Sequence, residues 1–152
     1  MERSVPTYED AQLVLKLYEL RRDDKLRAAR EWFIQKFFPT SIDDVKAVQG
    51  STGNENVSFR MVTTYWEMAA SFVARGVLNA DLFLDSGGEM ILVWTKLADF
   101  VPQLRQNLGS ENLLKHVESV IASSPRAKER VGVTRQRIAQ ARERALAASS
   151  KA

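Results

Sequence analysis

The sequence contains no cysteine, a single histidine, four prolines and seven glycines among 152 residues. Without cysteine there can be no disulfide, no thiolate nucleophile and no cysteine-ligated metal. The one histidine, His116, lies in ENLLKHVESVI beside the Leu113, Val117, Val120 stripe, with no acidic residue three or four positions on. It reads as a boundary or surface residue rather than a ligand or general base. Carboxylate-bridged metal centres in bundles need Glu-x-x-His pairs on two helices, and the chain has none. GSTGNEN and DSGGE lack the preceding strand and the Lys-Ser/Thr of a phosphate-cradling loop. Asp23-Asp24 and Asp43-Asp44 fall on helix surfaces and caps. No enzyme signature and no cofactor are expected.

Long apolar runs are missing too. MILVW at 90–94 is the longest, whereas a bilayer span takes about 20 residues. MERSVPTYED lacks the basic-then-apolar pattern of a secretory signal. A soluble, cytoplasmic protein with no membrane insertion is the expectation.

What is present is helical. Apolar content of 45% and charged content of 27% suit a globular domain. Alternating apolar positions bounded by turns do not occur, and the periods are those of helices. Thr7 with Asp10 starts a first helix that can run to about Phe38, before Pro39, on the stripe Ala11, Leu15, Tyr18, Leu26, Ala29, Phe33, Phe37. Such a spine would be about 45 Å long at 1.5 Å per residue. Ser41 and Asp44 frame a short helix ending at Gly50. Asn54 or Asn56 caps a central helix that stops at Gly76, and Asn79 caps ADLFL.

Beyond the break at Asp85-Ser86-Gly87-Gly88, the residues Met90, Trp94, Leu97, Val101, Leu104 and Leu108 recur at steps of four and three. That is a seam for a bundle partner. Pro102 either kinks the helix or sits in the first turn of a new segment capped by Asp99. Ser110 caps the following helix, and Ser124-Pro125 is an N-cap with proline at the first helical position. The fold class is all-α: a bundle of five to six helices over residues 1–124, with a long N-terminal helix, followed by a basic helical or disordered tail over 125–152.

Within TTYWEMAASFVARG, Glu67 occupies the most apolar helix of the chain. Either its narrow polar stripe faces water, or Glu67 is half buried and must find a cation. Arg22, on the first helix's apolar stripe, and Arg105, beside the seam, are the candidates, because a guanidinium fork can hold a carboxylate while its stem packs on aromatics. Arg22, Glu67 and Arg105 would then form a structural or ligand-facing polar cluster. LYELRR…REWF followed by YWEMAASFV resembles a family of small, uncharacterised bacterial all-helical proteins, over about residues 8 to 121. The resemblance implies an all-α soluble domain and no particular activity.

Charge is unevenly placed. The net +3 of the chain divides into +6 over residues 124–152 and −3 before them. The tail cations Arg126, Lys128, Arg130, Arg135, Arg137, Arg142 and Arg144 would attract nucleic acid. The tail offers no aromatic ring for base stacking, and Gly132 weakens its helix, so a frayed, solvated tail is expected. The favoured reading is a non-enzymatic interaction or scaffold domain with a protein partner or a second copy of itself. A nucleic-acid-binding accessory protein acting through the tail is the alternative. A small-ligand binder or enzyme using the Arg22, Glu67, Arg105 cluster is the third.

Overall fold

A computed structural model describes residues 5–107 and 110–151, and all its regular elements among them are helices. In order they are α1 (Tyr8–Arg21), α2 (Asp24–Gln35), α3 (Ile42–Gln49), α4 (Asn54–Ala74), α5 (Ala80–Ser86), α6 (Gly88–Leu97), α7 (Val101–Asn107), α8 (Lys115–Ser123) and α9 (Pro125–Ser150). The fold is all-α.

The N-terminal spine is two helices, not one. Asp23 leaves the helical conformation and its carboxylate accepts from the amides of Lys25 and Leu26, which starts α2 afresh. The consequence for packing is large. Leu26, Ala29, Phe33 and Phe37 are buried as their spacing predicts, but the α1 half of the same stripe turns outward and leaves Leu15 and Tyr18 exposed. Leu17 is the buried residue of α1's middle, and its carbonyl accepts from the Tyr65 hydroxyl at 2.6 Å. Burial pushes that phenol up to about 12.

α4 is the central element. It is apolar on most faces, and it packs between α2 and α8, touching α3 and α6 as well. Phe59, Val62, Trp66, Ala69 and Ala70 are all at most 2% exposed. Its N-terminus carries Gly53 at the cap position with no side-chain bond, so neither Asn54 nor Asn56 caps it. Gly76 ends the segment at φ 75°, a backbone state that glycine enters at no steric cost.

Four caps follow the sequence signals. Thr7 and Asp10 form a reciprocal capping box, as do Ser41 and Asp44, while Asn79 accepts from Leu82 and Ser124 from Ala127. Buried Asp10 also accepts from the amide of Asn79, which ties the start of α1 to the start of α5.

The seam from Met90 to Leu104 is buried except for partly exposed Trp94, but it spans two helices. α6 ends at Leu97 and Pro102 lies in the first turn of α7, where its missing amide is harmless. Asp99 does not cap that turn but meets Arg135 of α9. Leu108 lies outside the described residues.

The tail is ordered as α9, a helix of 26 residues laid across α6 and α8. Ala127 and Ile138 are buried and Val131 packs against the core. Gly132, which has open space around it, does not interrupt the helix. The apolar edge is thin, but arginine contacts to the body reinforce it. Beyond Arg142 the helix is exposed.

Candidate functional site

Glu67 is half buried, and its partner is neither Arg22 nor Arg105. One carboxylate oxygen accepts from the His116 amide at 2.8 Å and from the His116 ring Nδ1 at 2.7 Å, and the other accepts from the Val117 amide at 3.1 Å. A carboxylate only accepts, so Nδ1 carries the proton in this pair. His116 and Val117 stand in the first turn of α8, where free amides and the helix dipole favour a negative group.

Glu67 is therefore an N-cap supplied by another helix. It explains why Ser110 does not cap α8: that helix starts only at Lys115, after Leu114 in the left-handed region at φ 53°. Arg105 is used nearby but separately, donating twice to the Leu113 carbonyl and pairing with Glu118 at 2.8 Å. Arg22 lies exposed at the α1–α2 elbow. Glu67→Gln should cost about 0.5–2 kcal/mol, as loss of a helix cap does. An unchanged urea midpoint would remove Glu67 from that role.

A second polar group escaped the sequence reading. Lys96 is 5% exposed, and its ammonium donates to the carbonyls of Phe33 (2.6 Å), Ile34 (3.0 Å) and Phe37 (2.7 Å). The first two are open acceptors in the last turn of α2 and the third lies just past its end, where a cation is favoured. The Phe38 ring lies 4.1 Å away and adds a cation–π contact. Burial, with repulsion from Arg142, pushes Lys96 down to about 7. The signal in MILVWTKLADF was available: Lys96 follows Val93 by three positions on the buried side of α6.

The elbow between α1 and α2 gathers five charged side chains, Arg21, Arg22, Arg27, Arg30 and Glu89. Arg30 grips Glu89 through Nε at 2.9 and 3.0 Å and through a terminal nitrogen at 2.8 Å, and it also donates to the Arg21 carbonyl at 3.1 Å. Trp66 Nε1 donates to the same carboxylate at 3.2 Å. The carboxylate bond holds the Arg30 proton still more firmly than usual. Arg21 lies over the Trp66 ring, 5.2 Å from its centroid, and 5.7 Å from that of Tyr18. Arg22 and Arg27 complete the wall of a cleft of about 540 Å³.

The tail cations are divided. Arg126 pairs with Asp85 at 2.6 Å, Arg130 donates to the Leu84 carbonyl at 2.7 Å, Arg135 meets Asp99 at 3.3 Å, and Arg142 reaches the Pro39 carbonyl at 3.4 Å. Gly88 makes room for Arg130: a Cβ there would lie 2.8 Å from its terminal nitrogen. Four of the seven tail cations thus hold the helix to the body. Lys128, Arg137 and Arg144 stand exposed.

A helical domain with α4 at its centre, its polar interior given to caps and clamps, is the class that these features define. Residues 6–124 match the model of the family described as domain of unknown function DUF4760, and the chain belongs to that family. The match ends where α9 begins. No curated protein and no solved structure matches the chain. Among the described residues, no helix is long and apolar enough to cross a membrane.

Proposed function

We propose that the chain is a non-enzymatic helical interaction domain that self-associates through the outer face of α1. The observation that carries this reading is the stripe Tyr8, Ala11, Leu15, Tyr18. Tyr8 is 76% exposed, Leu15 65% and Tyr18 55%, at steps of three, four and three that suit a helix partner. A buried role for this stripe is already ruled out by the turn at Asp23.

A second copy fits it. In antiparallel order Tyr8 falls opposite Tyr18, and Ala11 opposite Leu15, so aromatic meets aromatic and small meets large. A two-fold interface requires self-complementarity of this kind. Charge agrees, since Glu9 lies at one end of α1 while Lys16, Arg21 and Arg22 lie toward the other, with Glu19 the exception. The polar groups best placed for chemistry are occupied structurally: Glu67 caps α8, Glu89 holds Arg30, and Lys96 caps α2.

A helix of 14 residues is about 21 Å long. That small contact makes a weak, concentration-dependent dimer. Sedimentation equilibrium should show the apparent mass rising above 17.2 kDa with concentration. Leu15→Glu should abolish the rise without changing the thermal melt, because Leu15 is outside the core. A wild-type chain that stays at the monomer mass, or a variant that associates equally well, overturns the reading.

A further inference from the structure

We infer that the cleft at the α1–α2 elbow is an anion site for a phosphate-bearing small molecule, with a diphosphate group preferred. Four guanidinium groups, Arg21, Arg22, Arg27 and Arg30, line it together with one carboxylate, Glu89. That carboxylate is already committed to Arg30 and to the Trp66 indole. The other acids of the elbow do not compensate. Asp23 turns to the amides at the start of α2, and Asp24 is exposed on its first turn. Among the described residues, Arg21, Arg22 and Arg27 have no carboxylate within ion-pair distance.

The cleft therefore holds an excess of three positive charges. Its floor is held in place. Arg30 is fixed by three bonds to Glu89 and one to the Arg21 carbonyl, and Arg21 rests on Trp66. Donors fixed before binding lose little freedom when a ligand arrives. Planar guanidinium forks match the tetrahedral oxygens of phosphate two at a time. One phosphate cannot neutralise three arginines, whereas a diphosphate carries more of the charge needed. A volume of about 540 Å³ leaves room for an organic group beyond the phosphates, and exposed Tyr18 gives that group an aromatic wall.

The site borders the self-association face proposed above and shares Tyr18 with it, so the titration is run at concentrations at which sedimentation shows the chain to be monomeric. Calorimetry on the full chain at fixed ionic strength, with inorganic pyrophosphate as the probe and phosphate as comparison, tests it. Saturable one-site binding of pyrophosphate, tighter than phosphate, is expected. Arg22→Ala with Arg27→Ala should lower that affinity about tenfold or more, the loss of charged hydrogen bonds. Both residues are exposed, so the double variant should keep the wild-type melt. Arg137→Ala with Arg144→Ala removes the same charge from α9 and should leave binding unchanged.

Equal losses in the elbow and α9 variants would mean diffuse attraction and overturn the site, as would the absence of pyrophosphate binding. Vesicles bearing a bisphosphorylated inositol headgroup separate the sources of the phosphate. Sedimentation with such vesicles would overturn the small-molecule assignment if free pyrophosphate cannot compete. Competition by pyrophosphate, or no sedimentation, agrees with the small-molecule site.

Discussion

Trp66→Ala should destabilise the domain by about 3–5 kcal/mol, the range for deleting a large aromatic from a packed core. Trp66 is 1% exposed, meets Tyr65 and Phe83 edge-on with centroids 5.0 and 6.2 Å away, and donates to Glu89. Alanine would leave a void, take a donor from a largely buried carboxylate and remove the platform beneath Arg21. Set against a typical total of about 5–15 kcal/mol, that loss unfolds a marginal domain or nearly so. Trp66→Phe separates the contributions: it keeps most of the packing and forfeits the hydrogen bond, worth about 1 kcal/mol. Urea melts in which alanine costs no more than phenylalanine would show that packing at this position is unimportant.

Lys96→Met should be the next most costly change, at about 2–4 kcal/mol near neutral pH, because carbonyls at the end of α2 lose their donor inside the core. Its pH dependence is distinctive. Burial lowers Lys96 from 10.5 to about 7, so between those values the unfolded chain binds the proton more fully than the folded one. Stability contributed at this position therefore rises with pH across that window, and the full penalty of the buried charge is present below it. Other charges near the site are Arg142, Asp99 and Arg135 on one side and Glu89 and Arg137 on the other. The stability gap between wild type and Lys96→Met should widen from about pH 7 to about pH 10. Parallel pH courses in urea melts would mean that the three carbonyls and the Phe38 face hold the proton throughout.

Features with a local cause were legible in the sequence. Thr7 with Asp10, Ser41 with Asp44, Asn79 and Ser124-Pro125 each cap the helix that follows, because a side-chain oxygen two or three residues away suffices. The turn at Asp23 carried the same kind of signal in RRDDK. A stripe continuing through it from Tyr18 to Leu26 suggested one helix, and nothing in the spacing says that its first half faces outward. The start of α8 could not be read locally, since its cap comes from a residue 49 positions earlier. Glu67 looked for an arginine because a half-buried carboxylate needs compensation, and backbone amides supply much of it here. Arg22 does enter a cleft, but Arg27 and Arg30 reach that cleft from α2, and only the elbow brings the two helices' arginines together. Lys96 escaped the sequence reading because its acceptors are main-chain atoms, which leave no mark in composition.

The cap that Glu67 lends to α8 makes the short helix depend on the central one. A helix of nine residues is too short to persist alone in water, and α8 has no side-chain cap of its own. Its first-turn amides are satisfied by α4, which presents Glu67 beside His116 and Val117. α9 then has a surface to lie on, and its arginines close over Leu84, Asp85 and Asp99. α9 rests on α6 and α8, so its place in the fold depends on the same carboxylate at one remove.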